Sequence, residues 1–265
     1  MMRGVQIAGV TAVLALLAPG GNSAADTGRA LDAAGLRTSQ AAIGRQLGDL
    51  ELTDQNGRPF RLAALRGRPL VLSLVYTNCY DVCPGLTLHL RDVLRIARQA
   101  LGAGRFSVLT VGFDVEHDTP ARMLAYGRDR GIDAPDWRFA SADPATIGRL
   151  ADEVGFTWSA SPGGFRHIAQ VTVVDADGTV VQQVYGQDFP PPQLVEPLKS
   201  LVLARGLDRS TVRGLLDTVR LFCSAYDPVS RRYGFDYSMI VGALPVFLML
   251  GMVAAAIVVA GRRNR

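Results

Sequence analysis

Cys79 and Cys83 stand four positions apart in the stretch Thr77-Asn78-Cys79-Tyr80-Asp81-Val82-Cys83-Pro84. Two thiols this close form a disulfide, exchange one, or clamp a soft metal. Thioredoxin-type redox pairs have two residues between the cysteines, whereas three lie between them here, Tyr80, Asp81 and Val82. The wider loop still closes as a redox disulfide and also lets two sulfurs flank an ion. Pro84 suits the first position of a helix, where its missing N–H costs nothing. That places Cys83 at or next to the N-cap and Cys79 in the loop just before it. Both thiols then face the positive end of the helix dipole, which favours thiolate.

Thiolates select Cu(I), and an added imidazole suits copper in either oxidation state. Structural zinc wants four ligands, and no fourth is evident. A metal site therefore needs a histidine, and the chain has 3. His89 falls within a mostly apolar helical run and reads as structural or exposed. His117, in Asp114-Val115-Glu116-His117-Asp118, reads as a loop histidine, although strand ends border the active loop in folds of this kind. His167 opens a strand after a glycine-containing loop, and its residue type alone leaves a structural role and a ligand role open. Cys223, the third cysteine, reads as a small hydrophobe beside Leu221 and Phe222, with a redox or interchain contact as the other option.

The elements that must hold these side chains follow from hydrophobic period and punctuation. Residues 49–53 alternate, Asp54-Gln55-Asn56-Gly57-Arg58 turns, and Phe60-Arg61-Leu62 resumes, which predicts an N-terminal hairpin. Leu70 to Tyr76 is apolar almost throughout, as a strand covered on both faces must be. A helix is predicted over 85–101 and a strand over 106–113. Thr119-Pro120 and Asp143-Pro144 each open a helix, with the first residue as cap and proline at the first position. Residues 155–164 read as a loop, 167–175 and 179–185 as a strand pair around Asp175-Ala176-Asp177-Gly178, and Pro190-Pro191-Pro192 as the lead-in to a last helix. This order is that of an α/β, thioredoxin-like mixed sheet flanked by helices.

The chain has 265 residues, 48% of them hydrophobic, and a net charge of +4. Lys199 is its one lysine, and the arginines are interspersed with acids rather than gathered in a stripe, which gives little support to a nucleic-acid partner, so none is expected. Residues 1–25 have the form of a signal peptide, with Arg3, an apolar run and small residues near the cut. Residues 26–44 read as a linker or short arm, 45–206 as the folded domain, and 207–238 as a juxtamembrane segment. Residues 239–260 are apolar throughout and long enough to span a bilayer, and 261–265 form an arginine-rich cytoplasmic tail. The expectation is a bacterial-type inner membrane protein with one C-terminal transmembrane helix and its domain on the periplasmic or outer face, where disulfides form.

Taken together, Cys79-x-x-x-Cys83-Pro84, the stretch Val111 to Pro120, and His167 with Asp175 and Gly178 behind it resemble the Sco/SenC family over about residues 45–206. The resemblance implies a membrane-held protein of cytochrome c oxidase assembly that binds copper, Cu(I) or Cu(II). Its implied ligands are Cys79, Cys83 and His167, with Asp114 as an outer residue beside the site. The implied partners are an oxidase subunit that receives copper at a CuA-type site and a thiol reductant protein. Tyr80 and Val115 stand where the family often has proline, and His117 where it often has arginine. The segment Phe222-Cys223-x-x-Tyr226-Asp227-Pro228 resembles a tail found in a subset of members. A thiol–disulfide reductase that keeps the oxidase cysteines reduced is the competing function, with a redox sensor third. The reductase needs Cys79 and Cys83 but has no use for His167.

Overall fold

The structure is a computed structural model of the chain and describes residues 33–80, 82–205, 221–228, 230, 232–235, 241–242, 245 and 248–253. The expected signal peptide and most of the expected membrane span lie outside these residues. Among the described residues no helix is long and apolar enough to cross a membrane.

The predicted hairpin forms from β1 (Glu51–Asp54) and β2 (Pro59–Arg61). Its turn is closed by Asp54, whose Oδ1 accepts from the N–H groups of Asn56 and Arg58. β3 (Leu70–Val75) and β4 (Ser107–Gly112) are buried at every residue, which explains their unbroken apolar runs. α1 (Val82–Leu101) connects them, and the two strands pair in parallel. α2 (Pro120–Asp129) then leads to β5 (Trp137–Ser141), parallel to β4 on its other side. Thr119 caps α2 by accepting from the N–H of Arg122, and Asp143 caps α3 (Pro144–Val154) by accepting from that of Thr146. Both caps match the sequence reading.

Beyond α3 the structure departs from expectation. Residues 155–164 are not one loop. β6 (Trp158–Ser161) and β7 (Gly164–His167) form a two-stranded hairpin around Pro162-Gly163, outside the main sheet. His167 therefore ends a strand instead of opening one. β8 (Gln170–Val174) and β9 (Val180–Tyr185) follow as the predicted antiparallel pair, and α4 (Pro192–Ala204) completes the domain. The seven-stranded sheet has the order β2-β1-β5-β4-β3-β8-β9. β10 (Ser224–Asp227) and β11 (Arg232–Phe235) pair on their own, and β11 contacts α1. Lys199 is buried and donates to the carbonyl of Ser224, so the one lysine ties α4 to this hairpin.

Core side chains such as Leu72, Leu90, Leu109 and Leu198 are fully buried, each contributing about 1.5–3 kcal/mol on leaving water. Residues 33–44, expected as part of a linker or arm over 26–44, lie on the domain, helical over 33–40, with Ser39 and Ala42 fully buried. Gly155 permits that approach. It ends α3 in the left-handed conformation at φ 66°, and a methyl there would stand 2.5 Å from the Thr38 carbonyl oxygen. Gly155→Ala is expected to destabilise by about 1–3 kcal/mol through αL strain and overpacking. Gly148, in the middle of the same helix, meets nothing within 4 Å. Gly148→Ala should instead stabilise by about 0.5–1 kcal/mol. Urea unfolding of the two variants checks the opposite signs.

Candidate metal centre

Thr77 to Cys83 bridges the end of β3 and the start of α1. Cys79 N–H closes the turn by donating to the Tyr76 carbonyl. α1 begins at Val82, two residues earlier than the proline signal predicted, so Cys83 is the second residue of the helix and Pro84 the third. A first-turn N–H has no intrahelical partner, so proline costs no helical bond there either. Cys83 N–H donates to Cys79 Sγ at 3.3 Å, and Thr87 Oγ1 donates back to the Cys83 carbonyl at 2.8 Å. Neither sulfur is in a disulfide.

The expected thiolate at Cys83 is not what this setting favours. Its contact with Cys79 and its burial push the Cys83 thiol far up, against a backbone hydrogen bond with Tyr76 that lowers it. Cys83 is 1% exposed and Cys79 9%. Cys83 therefore holds its proton until something displaces it.

His167 arrives from the β6–β7 hairpin. Its Nε2 lies 3.6 Å from Cys83 Sγ. Its Nδ1 lies 3.0 Å from the Ile168 carbonyl oxygen. A carbonyl only accepts, so Nδ1 carries the hydrogen and the Nε2 lone pair faces the sulfur, the tautomer a metal ligand needs. The ring sits on an aromatic wall, with centroids 5.4 Å from Phe156, 5.5 Å from Phe113 and 6.0 Å from Tyr76. Trp158 and Phe165 extend this wall by packing on Phe113. Tyr76 also accepts from Phe165 N–H, and burial together with Cys79 pushes its hydroxyl up to about 12. The sequence reading passed over these rings, whose only signal was a run of aromatics around a hairpin it took for loop.

Asp114 was expected beside the copper ligands. Its Oδ2 pairs with His117 Nδ1 at 2.9 Å. The residue that reaches the thiol loop is Asp118, which the sequence reading missed. Its two carboxylate oxygens accept from Thr77 N–H at 2.8 Å and Asp114 N–H at 2.9 Å. Gly112 leaves room for it, since a Cβ at 112 would fall 2.4 Å from Asp118 Cβ. Arg122 adds a bond to Asn78 Oδ1 at 3.0 Å. The available signal was a second aspartate four residues after the first, directly before a helix cap. His89 is structural, with Nε2 on the Phe189 carbonyl at 2.7 Å. Cys223 is half-buried in the turn before β10.

The donor set fits a soft ion in part as it stands. A sulfur and a nitrogen 3.6 Å apart suit one d10 ion bonded at ~2.3 Å and ~2.0 Å. The Cys79 sulfur is one hydrogen bond from Cys83. Among the described residues no three such side chains are already converged on a single point, so Cys79 must turn from the Cys83 N–H to complete a trio.

Fold and site thus define a thioredoxin-like protein whose dithiol loop meets an imidazole from a separate hairpin. The SCO1/SenC family model matches residues 39–203, more than half of the chain. The chain belongs to the SCO1/SenC family. It is 36% identical over 90 residues to the mitochondrial SCO2 homolog of Bos taurus, covering 34% of this chain and 33% of that one. It is 26% identical over 88 residues to the SCO1 protein homolog of Bacillus subtilis (strain 168), covering 32% of this chain and 44% of that one. The matched stretch spans less than half the length of these curated relatives. Among solved structures, Bradyrhizobium japonicum ScoI with copper bound is 29% identical with a TM-score of 0.51, and the match covers 60% of this chain and 99% of that one. The thioredoxin-like Sco fold expected from the order of elements is therefore the fold of this chain.

Removing Asp118 should be costly. Asp118→Ala leaves two backbone donors without an acceptor, a loss of about 2–4 kcal/mol. Burial raises the Asp118 carboxyl in the folded state, against the bonds that lower it. A raised folded pKa gives stability that is full below the ordinary carboxylate value and is lost as pH rises through the folded value. Urea unfolding of wild type and Asp118→Asn from pH 3 upward should show that decline in the wild type and its absence in the variant.

Proposed function

We propose that this chain is a membrane-anchored copper-binding protein that delivers copper to the CuA-type site of a terminal cytochrome oxidase. The observation that carries the reading is the Cys83–His167 contact, in which an oriented imidazole lone pair meets a buried thiol. A dithiol that only exchanges disulfides has no use for that imidazole. Copper-bound ScoI of Bradyrhizobium japonicum supports the same cargo. Cys79, Cys83 and His167 are the ligands in this reading, and each captured ion displaces protons from the thiols. The site then passes its cargo to the receiving oxidase subunit by ligand exchange. A thiol reductant protein keeps the pair open for loading.

Anchoring rests on residues 239–260, an apolar stretch followed by three arginines in 261–265. The large apolar side chains described there, Val241, Leu248, Met249, Leu250, Met252 and Val253, are exposed, which suits a lipid environment. The domain lies on the periplasmic face in this reading. Tethering donor and acceptor to one membrane raises their effective concentration.

One observation favours disulfide exchange as the second reading. The thiols are asymmetric: Cys79 is the more accessible, and Cys83 is buried with its proton held. An outer attacking thiol and an inner resolving thiol would have that form.

Titration of the purified chain with Cu(I) and Cu(II) separates the two. Under the copper reading, His167→Ala should lose at least about 100-fold in Cu(II) affinity and keep its disulfide exchange. Unchanged copper affinity in His167→Ala, alongside exchange abolished in Cys79→Ser, would leave the reductase standing. Because protons must leave, Cu(I) affinity should rise with pH by about tenfold per unit for each proton displaced. Isothermal titration in buffers of different ionisation enthalpy counts those protons.

A further inference from the structure

His167 is the one donor of the three that does not come from the connection between β3 and α1. Its hairpin stands outside the seven-stranded sheet. The aromatic wall supports the ring, and the base of the hairpin meets residues 33–40. Gly35 is buried there, and a Cβ on it would stand 3.0 Å from Thr157 Oγ1 and 3.7 Å from Ile168 Cγ2. Thr157 immediately precedes β6 and Ile168 immediately follows His167, so one backbone position touches both ends of the hairpin. Ile168 also supplies the carbonyl that fixes the His167 tautomer. A cavity of about 200 Å³ separates the rest of the segment from the hairpin, with Thr38 on one side and Trp158, Arg166 and His167 on the other.

The segment is secured at a distance from the site. Ser39 Oγ and Gln40 Nε2 both reach Tyr185 Oη, at 2.8 Å and 2.7 Å. Gly44 N–H donates to the Val180 carbonyl and Leu47 N–H to that of Gly178. The thiol loop is secured by other groups, namely Asp118, Arg122 and the first turn of α1. A shift of residues 33–40 would therefore reach the imidazole and leave the thiols in place.

We propose that residues 33–40 are a positioning clamp for His167, which sets how tightly this chain holds Cu(II) relative to Cu(I). The inference rests on the copper reading. Soft thiolates dominate the binding of Cu(I), whereas the harder imidazole nitrogen counts for more with Cu(II). Loosening the clamp selectively weakens the oxidised ion. The segment thereby offers a route by which whatever lies upstream, or a partner that engages it, changes the oxidation-state preference of the site without touching a sulfur.

Two variants of the full-length chain test this. Gly35→Leu wedges the segment from the hairpin, and Tyr185→Phe removes the hydroxyl that holds Ser39 and Gln40. Cu(II) binding is followed anaerobically by titration, with the nitrogen coupling to Cu(II) read by electron paramagnetic resonance. Cu(I) binding is followed by competition with a colorimetric chelator. Gly35→Leu should weaken Cu(II) binding about tenfold and reduce the nitrogen coupling, as loss of an orienting neighbour does at metal sites. Tyr185→Phe should act in the same direction to a smaller extent, and Cu(I) affinity should hold in both. Wild-type Cu(II) affinity in the folded variants overturns the clamp, and so does an equal fall in Cu(I) and Cu(II). His167→Ala is the reference: if it binds Cu(II) as well as wild type does, the copper reading fails and the clamp falls with it.

Discussion

Everything in the site depends on one contact across the fold, His167 Nε2 against Cys83 Sγ at 3.6 Å. The two residues are 84 positions apart, so no local preference places them together. Their meeting is a property of the sheet. β3 carries the thiol loop at its C-terminal end, and β8, paired with β3, begins three residues after His167. The hairpin therefore returns to the end of the strand that launches the thiols. The long-range order β4-β3-β8 does the work that a short motif does in a local metal site.

The thiol side of this contact is buried, and that bears on its chemistry. The contact with Cys79 and burial make ionisation of Cys83 unfavourable, and the nearby Asp118 carboxylate adds to this. Asp118 itself is buried and raised, yet it takes two backbone N–H groups that would otherwise have no acceptor. The site thus contains groups whose charged forms are disfavoured in the absence of a cation. A cation reverses the sign of that environment by replacing the thiol protons, and the low dielectric then strengthens its bonds to sulfur.

The sequence made the frame legible because the frame is written in period and punctuation. Buried β3 and β4 appear as unbroken apolar runs, and the two proline-opened helices have the caps predicted for them. The ligand candidates were legible from residue type and from the family resemblance. The missed features share one physical trait: they are set by contacts between distant segments. β6 and β7 are short, half-exposed strands of mixed residues, and half-exposed strands outside a sheet give no clean alternation. Asp118 looked like part of a helix start, and only Thr77, 41 positions earlier, reveals its purpose. The state of Cys83 was misjudged for the same reason. A helix dipole can be read from sequence, whereas burial by the rest of the fold cannot.

The asymmetry of the two cysteines bears on which function this geometry serves. In an exchange enzyme the inner thiol must deprotonate to resolve a mixed disulfide, and at Cys83 the contact with Cys79 and burial both work against that. A metal ion meets no such obstacle in kind, because it brings the positive charge that the thiolate lacks. The imidazole adds to the contrast. Its Nε2 lone pair is aimed at Cys83, where taking up the Cys83 proton would create an ion pair beside an aromatic wall. The same lone pair donated to a cation creates no new charge. Both features suit the capture of an ion, while the outer and inner thiols keep the form that disulfide exchange uses.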